Sequence, residues 1–343
     1  MNRNLRVAVV GAGRMGRHHA RIYSALEFCE LVAVVDKDIA RAHQVTSEYG
    51  GRPATSLADV TAELDAVTVA VPTVYHAEVA IPIMERGAAV LVEKPLAPNT
   101  ENARQILDAS RRLGRVLQVG HSERFNPVVR AMLRMKLAPR FIETHRISPF
   151  TFRSADVGVV FDMMIHDIDI VLHLTSSRDY TIDAVGVSVL GEWEDVANAR
   201  LRFAGGAVVN MTASRLALKT ERKIRVFAPM GYLSMDYQKK SGVAIKLADN
   251  LDLIRMARER NFEDLSQMQS LDFGSMVKIE PLHVDDVEPL KAEIESFLES
   301  VRTGGAAAVS AEDGYAAVEL AERITNSIRE QGWDRDLQSV PGR

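Results

Sequence analysis

Gly11-Ala-Gly-Arg-Met-Gly16 constrains the fold of this chain more than any other segment, because of what stands on either side of it. Val7–Val10, just before, is a short apolar run, and Met15–Leu26 has the make-up of a helix. A strand that turns through spaced glycines into a helix begins a doubly wound parallel sheet. The next hundred residues keep that rhythm. Runs at Leu31–Val35, Val67–Val71, Val90–Val92 and Val116–Val119 alternate with helical stretches at Ala40–Tyr49, Tyr75–Arg86 and Thr100–Leu113. Short apolar strands separated by helices predict a sheet covered on both faces and wound by right-handed crossovers.

After about residue 121 the pattern changes. Phe125–Leu137 and Val159–Leu174 read as helices, followed by strands at Ile182–Leu190, Val196–Phe203, Ala207–Ala213, Lys223–Phe227, Tyr232–Asp236, Val243–Leu247 and Met276–Ile279. Phe141–Ile147 is a further strand, residues 248 to 274 read as a loop or short helical excursion, and Glu288–Val301 and Ala311–Arg329 close the chain as helices. The chain of 343 residues exceeds the usual size of one core. The class is therefore α/β: an amino-terminal Rossmann domain at 1–121 and, at 122–343, an α+β domain with an open, mainly antiparallel sheet for substrate binding and oligomerisation.

A net charge of -4 gives no basic field for nucleic acid. No apolar run reaches the roughly 18 residues of a membrane span, and Val7–Val10 is too short for a signal-peptide core. A soluble, cytoplasmic protein is expected, with no nucleic-acid or membrane partner. The single cysteine, Cys29, fits a reducing compartment and, among Leu26, Phe28 and Leu31, reads as a buried inert thiol.

The three glycines have separate tasks. Gly11 permits the tight turn, Gly13 lets the backbone approach a pyrophosphate, and Gly16 lets helix and strand pack closely. Arg14 and Met15 fill the turn between them, Arg14 either reaching the pyrophosphate or facing solvent. Asp36 ends the next strand, twenty residues after Gly16, where its carboxylate accepts hydrogen bonds from ribose hydroxyls. A 2′-phosphate would meet that carboxylate, so NAD is favoured, while the adjacent Lys37 keeps NADP possible. Thr73 and His76 follow another strand at the ligand edge and are candidates to line the cofactor. Surface capping and a structural imidazole are their plainer readings. Glu93-Lys94-Pro95 directly follows Val90–Val92, placing a charged pair in the crevice of an open α/β sheet. A salt bridge and a turn would also explain it, and the proline admits a cis bond.

Asp162-Met-Met-Ile-His166 is more selective. On a helix, Asp162 and His166 share a face that would otherwise be buried and apolar, where charged groups are paired or functional. Removing hydride from a secondary alcohol needs a base for the hydroxyl proton, and His166 has the side-chain pKa nearest neutrality. Lys94 can stabilise negative character on the oxygen, and Asp162 can orient substrate or share the proton. Asp167, Asp169 and His173 read as packing groups. Without a cysteine cluster or companion histidines, no metal is expected.

These residues resemble the glucose-fructose oxidoreductase / inositol dehydrogenase / rhizopine catabolism family of NAD(P)-dependent sugar oxidoreductases, over nearly the whole chain. The resemblance implies that Lys94, Asp162 and His166 match the family's catalytic lysine, aspartate and histidine, and that the second domain mediates dimers or tetramers. Val119-Gly-His-Ser-Glu-Arg-Phe-Asn-Pro127 and His145-Arg-Ile-Ser-Pro149 look like the UDP-N-acetylglucosamine 3-dehydrogenase type of nucleotide-sugar oxidoreductase. That implies oxidation of a sugar 3-hydroxyl, with Arg124, Arg146 and Arg153 meeting a diphosphate and Asn126 a sugar or amide group. Arg215, Lys219 and Arg222 are further candidates, and contact with water or a nearby carboxylate is the plain alternative for every one of these cations. An inositol or free-sugar dehydrogenase, another small-molecule reductase of the same family, and a non-catalytic NAD-bound regulator are the competing functions.

Overall fold

The computed structural model describes residues 3–151, 157–229, 231–247, 277–282 and 284–331. Arg153 and the stretch read as a loop at 248–274 lie outside the described residues. The first sheet contains β1 (Leu5–Val10), β2 (Cys29–Val35), β3 (Arg52–Ala54), β4 (Ala66–Val69), β5 (Ala89–Glu93) and β6 (Leu117–Gly120). Its order is β3-β2-β1-β4-β5-β6 with every pair parallel. The order reverses between β1 and β4, and there the carboxyl ends of the strands open a crevice. All four residues of β4 are buried, as the unbroken valine-rich runs require of strands covered on both faces. The three-residue β3 went unpredicted because Arg52-Pro-Ala54 carries no apolar run; it sits at the sheet edge, where proline is tolerated.

Helices α1 (Arg14–Ser24), α2 (Ile39–Tyr49), α3 (His76–Glu85) and α4 (Thr100–Leu113) fill the crossovers. Each start has a local cause where a side chain caps it: Asp38 accepts from Ala40 N, and Asn99 from Asn102 N. Gly114 in the left-handed region ends α4. The next helices are α5 (Pro127–Arg134), α6 (Ile165–Thr175), α7 (Pro289–Thr303) and α8 (Ala311–Glu330). Helix α7 returns to the first sheet, burying Ile294, Phe297 and Leu298 with Val7, Val9 and Leu91, while α8 packs on α4 and α6.

The second sheet comprises β7 (Phe141–Ile147), β8 (Tyr180–Val187), β9 (Val196–Phe203), β10 (Val208–Ser214), β11 (Glu221–Ala228), β12 (Gly231–Asp236), β13 (Ser241–Leu247) and β14 (Val277–Pro281). Its order is β14-β13-β12-β11-β7-β10-β9-β8, antiparallel except where β7 pairs parallel with β10. Strand β9 shows the one-sided burial expected of such a sheet: Ala197, Ala199, Leu201 and Phe203 point inward and are buried. The expected helix over Val159–Leu174 begins differently. Val160–Met164 is a π-turn, and the α-helix starts only at Ile165. Among the described residues no helix is long and apolar enough to cross a membrane.

Candidate active site

At the carboxyl end of β1, Gly11 has φ +101°, and a Cβ there would lie 2.4 Å from the Ala70 carbonyl oxygen. At Gly16 a Cβ would lie 1.7 Å from the Gly11 oxygen. Those two glycines allow backbone to pass backbone. Gly13 differs: a Cβ there would meet nothing within 4 Å. It caps α1 without a side-chain hydrogen bond, and the first turn of α1 holds no acidic residue. Unclaimed N–H groups at a helix start, next to open space, fit a dinucleotide pyrophosphate. Arg14 is exposed and Met15 half-buried. Asp36 closes the cradle, its carboxylate accepting from Ala12 N at 2.7 Å and Asp38 N at 2.9 Å. Lys37 Nζ lies 4.8 Å from the centre of the Tyr75 ring.

Two expected cofactor contacts turn inward instead. Glu93 is buried and accepts from His19 Nε2 at 2.8 Å and from Lys94 N at 3.2 Å. Burial works to raise the Glu93 carboxyl, but the hydrogen bond and charge of His19, with Lys94, outweigh it and hold it below its ordinary range. His76 is buried between the carbonyls of Val71 and Pro95, 3.0 Å from each, and ties two loops together. Both are therefore support behind the crevice rather than its lining, because each spends its polar atoms on the protein. Thr73 does face the crevice, where it lines a cavity of about 480 Å³ with Lys94, Pro95, Phe161 and Asp162.

Lys94 sits between the two sheets. The Lys94–Pro95 bond is cis. Lys94 Nζ donates to the Asp162 carbonyl oxygen at 2.8 Å, with the Asp162 carboxylate 3.6 Å away. An ammonium has three donors, so this anchor leaves others for a ligand. The π-turn carrying Asp162 is fixed from outside: Glu194 accepts from Val160 N at 3.1 Å, and a Cβ at Gly158 would be 2.0 Å from Glu194 Oε1. His166, further along the helix, does not line the cavity. Burial first, then the charges of Lys94 and Arg146, push its pKa well below the usual histidine value, so the ring is neutral at neutral pH. Its Nδ1 is buried with no hydrogen-bond partner. The far wall of the cavity comes from Trp193 and, on α8, Asn326 and Arg329, none of which carries a local sequence signal.

The arginines expected to meet a diphosphate behave otherwise. Arg124 is buried in a two-pronged pair with Asp169, at 2.8 and 2.5 Å, and donates to His173 Nδ1 at 2.8 Å. Arg146 forms the same kind of pair with Asp167, at 3.0 and 2.8 Å, and reaches Glu123 at 3.1 Å. Burial alone would lower the Arg146 pKa; the two carboxylates more than offset it and hold the guanidinium charged. Arg215 pairs with Asp195 at 2.5 Å. Asn126 is spent as well, capping α5 at Val128 N and donating to Glu123 at 3.0 Å. These corrections share one cause. A buried guanidinium must be paired, and α6 supplies Asp167 and Asp169 for that purpose. Lys219 is exposed, and Arg222 is half-exposed, 3.9 Å from Glu123. Among the described residues, no group of three His, Cys, Asp or Glu side chains could hold a metal ion.

Comparison with known proteins adds to this geometry. Residues 5–121 match the model described as an oxidoreductase family with an NAD-binding Rossmann fold, and residues 101–234 match the GFO/IDH/MocA C-terminal domain. A UDP-N-acetylglucosamine 3-dehydrogenase from Acidithiobacillus ferrooxidans is 35% identical over 235 residues, 68% of this chain and 74% of that protein. An inositol 2-dehydrogenase from Rhizobium meliloti is 24% identical over 348 residues, 95% of this chain and 98% of that protein. The solved structure of the Acidithiobacillus enzyme superposes with a TM-score of 0.83 at 28% identity, covering 95% of this chain and 98% of its own. Levoglucosan dehydrogenase in complex with NADH shares the fold, with a TM-score of 0.81 at 18% identity over 96% of this chain and 98% of its own.

Proposed function

The chain belongs to the GFO/IDH/MocA family of NAD-binding oxidoreductases, and from that premise we propose that it oxidises a nucleotide sugar at a secondary hydroxyl, the 3-hydroxyl of UDP-N-acetylglucosamine. The observation that carries this reading is Lys94. One ammonium at the end of a cofactor-sheet strand is anchored 2.8 Å from Asp162 on the other domain's π-turn, beside a cavity large enough for a sugar ring.

Alcohol oxidation takes a hydride from carbon and a proton from oxygen. Gly11–Gly16 and Asp36 would hold NAD, which would supply the hydride acceptor. The remaining Lys94 donors point negative charge on the reacting oxygen toward an ammonium, where it is stabilised as the proton leaves. Asp162, 3.6 Å away, holds that ammonium in place and orients the sugar. His166 is set back from the cavity lining, and the family resemblance supports it as the general base, a role that its neutral ring permits. NAD is preferred to NADP because Asp36 occupies the ribose end of the cradle and Lys37 is drawn onto the Tyr75 ring.

The relative of known activity that is 35% identical supports the nucleotide sugar. Inositol is the second reading, supported by the inositol 2-dehydrogenase aligned over 95% of the chain. Arg124, Arg146 and Asn126 lend the nucleotide no support, since all three are spent within the protein. Half-exposed Val185, Phe227 and Val243 on the second sheet support association into a dimer or tetramer. The lone buried Cys29, its thiol pushed up to about 11 by burial, accords with a cytoplasmic setting.

The test is a screen of purified protein for NADH formation with UDP-sugars, free sugars and inositols. UDP-N-acetylglucosamine is expected to give the highest kcat/KM. A higher value with inositol would move the assignment to the second reading, and no NADH with any alcohol would end it.

A further inference from the structure

His121 has no part in the scheme above, yet the sheet delivers it to the same place. Glu93 and Gly120 are paired neighbours in the β5–β6 register, so Lys94 and His121, each the next residue, leave the sheet side by side. His121 is 1% exposed, and neither of its ring nitrogens has a hydrogen-bond partner. His166 Nδ1 is likewise buried and partnerless. An unsatisfied buried donor or acceptor is costly, so three orphaned imidazole nitrogens on segments joined through Lys94 call for a shared explanation. Lys94 joins the two rings: it leaves the sheet beside His121, and its Nζ reaches the Asp162 carbonyl oxygen at 2.8 Å, four residues before His166 on the same helical segment. Around them stand Lys94 and Glu93 from β5, Asp169 from α6, Arg124 from the turn after β6, and Arg146 and Arg222 from the second sheet. Burial lowers the pKa of both histidines, so each ring is neutral, with one N–H and one bare nitrogen.

Which nitrogen of His166 carries the proton decides whether it can act as a base, and a neutral imidazole takes its tautomer from the hydrogen bond its other nitrogen makes. Resting on the reading of His166 as the base, we propose that His121 is its positioning residue. An acceptor nitrogen of His121 holds the His166 Nδ1–H through one bridging internal water, leaving Nε2 bare for the substrate hydroxyl. The alcohol proton passes to Nε2 and the Nδ1 proton moves toward His121, while a bound NAD would accept the hydride with its electron pair. No other oxidant is needed.

Nitrogen-15 NMR of the full-length, histidine-labelled protein, with and without NADH, reads the tautomer without any substrate. Wild type is expected to show His166 as the Nδ1–H form. His121→Phe should shift it toward Nε2–H, and His121→Gln, which keeps an acceptor, should restore Nδ1–H. With the sugar found in the screen, His121→Phe should lower kcat at least about tenfold with KM little changed, and His121→Gln should recover most of it. An Nε2–H His166 in wild type, or the same tautomer in wild type and His121→Phe, overturns the proposal. The wild-type spectrum alone decides if the phenylalanine variant does not fold. Undiminished turnover in His166→Ala would instead end the reading of His166 as base, whatever the tautomer.

Discussion

Two loops leave the carboxyl edge of the first sheet, and the chain uses them in opposite ways. After β1, the Gly11–Gly16 turn offers backbone and open space; nothing lies within 4 Å of where a Gly13 side chain would start. After β6, the turn beginning at His121 is packed with side chains, and its charges are met by α6, β7 and β11: Arg124 by Asp169, Glu123 by Arg146 and Arg222. The first loop is built for a ligand and the second for holding the two domains together. The distinction is burial as much as pairing: Asp36 and Lys94 keep part of their polar surface open beside their protein partners, whereas Arg124 and Arg146 are buried in two-pronged carboxylate pairs.

Substitutions at the two loops should have opposite consequences. Arg146→Ala leaves the Asp167 carboxylate buried without its cation and Glu123 with Arg222 alone, and should cost about 3–5 kcal/mol in urea unfolding. A loss near zero would mean that the pair is not structural. Gly13→Val is the mirror experiment. The unfolding midpoint should fall far less than in Arg146→Ala, by no more than the poorer helix cap costs, while NADH affinity falls about a hundredfold, roughly 2.8 kcal/mol, by fluorescence titration. A variant that unfolds early but binds normally would reverse the assignment of roles.

Asp36→Ala sharpens the cradle. It should weaken NADH binding about tenfold, ~1.4 kcal/mol, with a smaller effect on the chemical step. Unchanged affinity would remove Asp36 from the site. The smallest effect concerns Glu293 on α7, fully buried with both carboxyl oxygens unpartnered. Burial, then the nearby charges of Glu93 and Asp169, push its pKa well above 4.5. A carboxyl raised on folding stabilises the fold fully below its unfolded pKa, and that contribution is lost as pH rises through the folded value. Glu293→Gln should therefore match wild type in acid and exceed it at neutral pH by something on the order of 1 kcal/mol. Parallel stability curves for the two proteins would refute this.

What could be read from sequence follows the same division. The glycine turn, Asp36 and Lys94 each announce themselves within a few residues, because a strand, a turn and a helix start are local events. The partner of Arg124 is 45 residues away and that of Arg146 is 21 away on α6, so neither pair is written in the neighbourhood of its arginine. Apolar spacing cannot distinguish a π-turn at Val160–Met164 from an α-helix, so the change of winding before Ile165 carries no sequence signal. The cavity wall from Trp193 and α8 was invisible because it is assembled from segments more than a hundred residues apart.

In the proposed division of labour, the Gly11–Gly16 turn holds the cofactor while the helix carrying His166 supplies the base. His166→Ala separates the two most directly, with NADH titration and steady-state NADH formation measured on the same preparation. The predicted result is unchanged NADH affinity with turnover reduced by about 10²–10⁴. Turnover equal to wild type, at unchanged cofactor affinity, would contradict it.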